Sequence, residues 1–230
     1  MKIKKISMEL EKLTILHPNQ STVVQHAGKF FLIKSFDAIE SIKYEKNYRT
    51  VFAFVSRGQV NFKSENLVCQ LGAGTYLSAS KKHDLEILTN SSGIIIETDH
   101  VEVLTCVGGP VESSGRLKYI DGCSDTLLIS PARLGEPCLN LLHFPANTIQ
   151  TMHHHPSFRF GIVISGSGIS VSDSGEIPLK TGDVFYIPEN YDHKFNTSEK
   201  EMNVIAFHPD SDWGPTDEIH PMKNRTWFKK

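Results

Sequence analysis

The chain predicts an all-β fold of the sandwich or barrel type. Two observations carry this: short apolar runs recur at regular spacing, and Gly, Ser and Asn punctuate them. The length of 230 residues allows one large β domain or two small ones, either able to bury a core.

Taken in order, residues Met1 to Leu16 predict at most a short helix over Ser7 to Leu13. Lys29 to Phe36 reads as a strand, and Val51 to Val55 ("VFAFV") as a buried strand ended by a turn at "SRG". Further strands are predicted over Asn61 to Gln70, Gly74 to Ser78, Asp84 to Leu88 and Gly93 to Thr98. The stretch "VGGPVESSGR", Val107 to Arg116, has three glycines, a proline and two serines, the composition of a linker. Strands resume over Thr126 to Ile129, Cys138 to Phe144, Phe158 to Ser165, Gly168 to Ser172, Asp183 to Ile187, His193 to Asn196 and Met202 to His208. The tail beyond has no clear period but carries Trp213 and Trp227, so it is expected to lie as an extended segment on the barrels. This gives four units: 1–106, a linker at 107–118, 119–208, and the C-terminal segment 209–230.

Composition excludes several classes of function. A net charge of −2 gives no reason to expect nucleic acid or an anionic membrane as partner. No apolar run approaches the roughly 18 residues of a membrane-spanning helix. The basic residues of "MKIKKISMELEKL" precede no apolar h-region, so no signal peptide is predicted. Cys69, Cys106, Cys123 and Cys138 are scattered and form no C-x-x-C pair. We read them as reduced thiols of a cytoplasmic protein, mostly small core residues.

The two halves echo each other. "TGDVFYIPENYDHKF", Thr181 to Phe195, aligns without gaps on "LGAGTYLSASKKHDL", Leu71 to Leu85. Gly182 meets Gly72, Tyr186 meets Tyr76, and His193 meets His83. Upstream, the same register puts Tyr44 and Lys46 where the second half has His153 and His155. This is the pattern of an internal repeat with an emptied site in one copy.

The chemistry concentrates in "TMHHHPSFRFGIVISGSG", Thr151 to Gly168. In extended chain, residues i and i+2 share a face, so His153 and His155 point one way and His154 the other. Two imidazoles on one strand and a third, His193, from a neighbour could hold a divalent transition metal. No Gly-rich phosphate loop or Ser-His-Asp order stands out.

These residues resemble the cupin superfamily, and specifically a two-domain cupin. The family's first motif is H-x-H, then Glu after three or four residues, then Gly after six more; here it reads His153, His155, Arg159 and Gly166. Its second motif is Gly, Pro after five residues, Gly two later and His after two more; here it reads Gly182, Pro188, Asn190 and His193. The resemblance implies two tandem cupin-type antiparallel β-barrels (double-stranded β-helix or jelly roll), with a degenerate first copy lacking a metal site. It further implies one divalent transition metal (Fe, Mn, Ni, Cu or Zn) held by His153, His155 and His193. Asn190 replaces a glycine and also tolerates positive φ. Arg159 replaces the glutamate ligand, cannot ligate, and is suited to a bidentate grip on a carboxylate. Two readings of Arg159 follow: it anchors an acidic substrate near the metal, or it pairs with a nearby Asp or Glu or swings out of the barrel.

Cupins do many things, so the resemblance fixes the fold better than the function. The expected function is a metal-dependent enzyme, dioxygenase-like or an isomerase, acting on a small, anionic organic acid. The alternative is a non-catalytic small-molecule binding or sensing protein; a metal-free sugar isomerase would need a catalytic pair of which the sequence gives no strong sign. A homodimer is expected by analogy with the family.

Overall fold

The computed structural model describes residues 4–5, 11–133 and 135–211. Residues 7–10 of the helix expected over Ser7 to Leu13, and most of the expected C-terminal segment, from 212 onward, lie outside the described residues; Glu11 to Leu13 are not helical. The chain is all-β. In the first half the strands are β1 (Lys4–Lys5), β2 (Thr14–Leu16), β3 (Gln20–His26), β4 (Lys29–Ala38), β5 (Ile42–Tyr44) and β6 (Thr50–Arg57). They continue as β7 (Val60–Ser64), β8 (Val68–Leu71), β9 (Thr75–Ser80), β10 (His83–Ile87), β11 (Ser91–Thr98) and β12 (Cys106–Gly108). The second half has β13 (Leu117–Lys118), β14 (Ser124–Ile129), β15 (Cys138–Phe144) and β16 (Arg159–Ser172), then β17 (Gly175–Lys180), β18 (Val184–Ile187), β19 (Lys194–Asn196) and β20 (Met202–His208).

A seven-stranded sheet runs β1-β3-β4-β11-β6-β9-β12, and a four-stranded sheet runs β5-β10-β7-β8. Between them lies one core, including Val51, Ala53, Val55, Phe62, Leu77 and Ile95. The second half forms a nine-stranded system, β13-β14-β15-β20-β16-β18-β2, with β17 and β19 also paired to β16. Its interior core includes Phe144, Val163, Phe185, Phe195 and Val204. The strand β2 comes from the N-terminal part of the chain, yet pairs with β18 through Leu16↔Val184 and Thr14↔Tyr186.

The two large sheets pack against each other, which explains why their strands read as continuous apolar runs: both faces are buried. Along β16, Phe160 and Ile162 face the other half while Arg159 and Val163 face the barrel interior. Along β20, Ile205 and Phe207 face outward, and Val204, Ala206 and His208 face inward. The shared core is aromatic: Phe31 meets Phe158 at 5.3 Å between ring centroids, and Phe52 meets Phe207 at 5.1 Å. Edge-to-face pairs at this spacing contribute beyond the area they bury. Further out, His26 of β3 reaches Glu189 Oε2 at 2.8 Å and Asp210 Oδ2 at 3.0 Å, a polar link from the first half to the second.

β16 was expected as two strands and is one. Its first part pairs with β18 and β20, its last part with β17 and β19, and the register shifts between Val163 and Ser165. Gly166 follows at φ 75, where a Cβ would meet the Glu201 carbonyl at 1.8 Å. A β-bulge of this kind bends one strand so that it serves both walls of a barrel.

Candidate metal centre

His153 and His155 lie in the segment joining β15 to β16, which the sequence reads as strand. The structure has it extended but largely unpaired, with His153 forming an isolated bridge to His193. Pro156 accounts for part of this: it has no N–H to give a ladder and it keeps the preceding residue extended. The bridge is held by His153 N donating to His193 O at 3.0 Å and the reverse bond at 2.9 Å. Asn190 N donates to His155 O at 2.7 Å, and Asn190 has φ 55, so it takes the left-handed conformation for which the family pattern uses glycine.

The three side chains converge. Their ligand atoms all lie within 4.8 Å of one another, and theirs is the one such group of His, Cys, Asp or Glu among the described residues. His153 Nδ1 lies 2.8 Å from Thr151 O, and His193 Nδ1 lies 2.7 Å from Tyr191 O. A carbonyl can only accept, so each Nδ1 carries the proton and each Nε2 keeps a free lone pair. Such partners orient metal-binding imidazoles and fix their tautomer. Burial lowers the pKa of His155 far below the usual imidazole range, aided by the Arg159 charge. Burial likewise lowers His193 to about 4. Both are therefore neutral at pH 7, the form a ligand needs. His154 points away, exposed, with Nδ1 2.9 Å from Asp192 Oδ1. The donor set fits a divalent transition metal.

The imidazoles open onto a cavity of about 620 Å³ inside the second barrel. That is the size of a small-molecule site. Arg159 lines it, buried, with Nη1 donating to Ser157 O at 3.0 Å, Ser157 Oγ at 2.6 Å and Phe158 O at 3.1 Å. Of the two open readings, swinging out of the barrel is not what the structure has. Phe185 also faces the cavity, while Tyr186 packs in the shared core.

Further polar residues in the cavity wall, Asp125, Asn140 and His208 among them, escaped the sequence reading. Asn140 Nδ2 donates to both carboxylate oxygens of Asp125, each at 2.9 Å. His208 lies outside both histidine motifs. A signal existed, because it shares the parity of Val204 and Ala206, but a strand buried on both faces hides that parity. Burial pushes Asp125 up to about 6, against the lowering by its Asn140 hydrogen bonds.

A raised carboxyl pKa means stability fully present below the unfolded value and lost as pH rises through about 6. Asp125→Asn removes this titration. The stability of that variant relative to wild type is expected to grow by about 2 kcal/mol between roughly pH 4.5 and pH 7.5. Urea unfolding across that range measures it; a pH-independent difference would contradict the burial argument.

The first half is arranged differently at the matching place. The ladder Leu85↔Tyr44, extended by two residues, brings Lys46 level with His83, and Lys46 Nζ donates to His83 O at 3.3 Å. So Lys46, rather than Tyr44, is the counterpart of His153, a two-residue correction to the register read from sequence. Both His83 ring nitrogens are buried without hydrogen-bond partners among the described residues. The interior there holds an ammonium: Lys34 Nζ sits 3.5 Å from Glu97 Oε2 and is hydrogen-bonded to Tyr44 Oη.

All four cysteines are free, and no helix among the described residues is long and apolar enough to cross a membrane. The family model described as "Cupin domain" matches residues 140–208. No curated protein matches the chain. Among solved structures, a Cupin 2 conserved barrel domain protein from Leptotrichia buccalis is similar at TM-score 0.60 and 14% identity, covering 89% of this chain and 92% of that one. Protein Ylba from E. coli is similar at TM-score 0.60 and 15% identity, covering 90% and 95%. A salicylate 1,2-dioxygenase variant from Pseudoaminobacter salicylatoxidans, in complex with gentisate, is similar at TM-score 0.58 and 12% identity, covering 82% and 73%. With the histidine pattern and the barrel in hand, residues 140–208 match the cupin domain model, and the chain as a whole shares the fold of these structures.

Proposed function

We propose that the protein is a metal-dependent enzyme acting on a small organic acid, with one divalent transition metal held by His153, His155 and His193. The observation that carries this is the convergence of three imidazoles on a cavity that also holds a buried arginine. Three neutral ligands leave the ion its full positive charge, and a bound ion of this kind polarises an oxygen of the substrate or activates water. The salicylate dioxygenase that shares the fold takes a ligand of this class, gentisate.

The chain's own residues supply the rest. Arg159 holds a substrate carboxylate through its planar fork, and the Ser157 and Phe158 contacts at Nη1 keep that fork in place. Phe185 and Val204 form apolar walls that exclude water and strengthen the ion pair. Asp125, with a pKa near neutrality, is able to take or give a proton inside the cavity. We read residues 1–106 as a structural barrel without metal, 107–118 as a linker and 119–208 as the working barrel, in a cytoplasmic protein. The test is a turnover screen of the protein reloaded in turn with Fe²⁺, Mn²⁺, Ni²⁺, Cu²⁺ and Zn²⁺ against small hydroxy, keto and aromatic acids. Conversion of an acid by wild type, lost in His155→Ala, supports the reading; acids that bind unchanged in the cavity with every ion would replace the enzyme by a binding protein.

A further inference from the structure

We infer that Asn140 and Asp125 form a second recognition pole in the cavity that reads a nitrogen-borne hydrogen-bond donor, so that the ligand is a small acid also carrying an amino or amide group. This rests on the reading above, in which Arg159 holds the carboxylate. The two side chains occupy inward positions among Leu127, Leu142, Val204 and Ala206, where apolar residues would pack without cost. A buried polar group without a partner is rare in folded proteins and costs stability. Here Asn140 Oδ1 is buried without a hydrogen-bond partner among the described residues.

The donor count decides what would satisfy them. The Asn140 amide already spends its Nδ2 on Asp125. What remains is acceptor capacity: the lone pairs of Asn140 Oδ1 and the further lone pairs of the Asp125 carboxylate. A second carboxylate would meet Asp125 as a like charge, whereas an ammonium or amide N–H meets acceptors only. Asn140 pairs across the sheet with Ala206, Ala206 with Gly161, and Gly161 lies one inward position from Arg159 on the usual alternation. The register therefore puts the amide two strands from the arginine, with the Phe185 ring packed over Gly161 between them.

The experiment is calorimetric titration of the Zn²⁺-reloaded protein with matched probes: propanoate against alanine, succinate against aspartate, and benzoate against 2-aminobenzoate. Sites built around a hydrogen bond reject the analogue that lacks it strongly. In at least one pair the amino member is expected to bind at least about tenfold more tightly to wild type, with the ratio falling close to one in Asn140→Leu and in Asp125→Asn. Asp125→Asn is isosteric and keeps the test open should Asn140→Leu not fold. Equal binding of the members of every pair to wild type, or a preference that survives both variants, would overturn the second pole while leaving the acid reading standing. Failure of every probe to bind wild type would overturn both.

Discussion

Arg159→Ala is expected to weaken the binding of small carboxylates by about a hundredfold or more. The guanidinium is buried on the cavity wall, so its ion pair with a bound acid would be screened little by solvent. Removing one partner of a buried, hydrogen-bonded charge pair costs about 2–5 kcal/mol, most of it because the other charge is left unpaired. Arg159→Lys keeps the charge and loses the planar fork, so an intermediate loss of about tenfold is expected. Titration of succinate and benzoate into the three proteins makes the comparison, with the thermal midpoint recorded for each. Unchanged affinity in both variants would end the anchoring role and leave Arg159 as a brace for the Ser157–Phe158 backbone.

The second large effect lies in the other barrel. Lys34→Met is expected to cost about 3–5 kcal/mol of stability, because it strands the fully buried Glu97 carboxylate. Burial alone lowers the Lys34 pKa; the Glu97 charge opposes that and keeps the ammonium viable. Glu97 has other support from Asn47, whose backbone N and Nδ2 each lie 3.1 Å from a carboxylate oxygen. That support is neutral and does not replace a cation. The double variant Lys34→Met/Glu97→Gln removes both charges and is expected to recover most of the loss, since hydrophobic or neutral replacements of buried pairs are often tolerated. Chemical unfolding of the single and double variants measures this. A single variant as stable as wild type would mean that the pair contributes little.

Much of the fold was legible because the local signals agree with it. Regular short apolar runs gave most strands. What was missed has physical causes. β17 carries Pro178 and opens on Gly175, which demote a strand in sequence although β17 pairs only with β16 and can spare the N–H. β16 was split because Gly166 looks like a turn and is instead the bend after a bulge. β2 has three residues and gains its place only by pairing with β18, far away in the chain. At the site, the histidine triad was read from spacing alone, whereas Asp125 and Asn140 carry no motif: their meeting depends on the register of β14 against β15. The tautomers of His153 and His193 likewise depend on carbonyls of Thr151 and Tyr191 that no residue type encodes.

The central claim is that the three histidines hold an ion, and metal content per chain tests it most directly. Untagged protein grown in metal-replete medium is analysed for Fe, Mn, Ni, Cu and Zn beside His193→Ala. His193 supplies one of three ligands, and the loss of even an outer-sphere partner of a ligand costs ten- to a hundredfold in affinity, roughly, so loss of the ligand itself should cost more. The account predicts about one divalent transition metal per wild-type chain, falling to a small fraction in the variant. Metal-free wild type that also takes up none on reloading would contradict it, and Arg159 would then be the centre of a metal-free binding pocket.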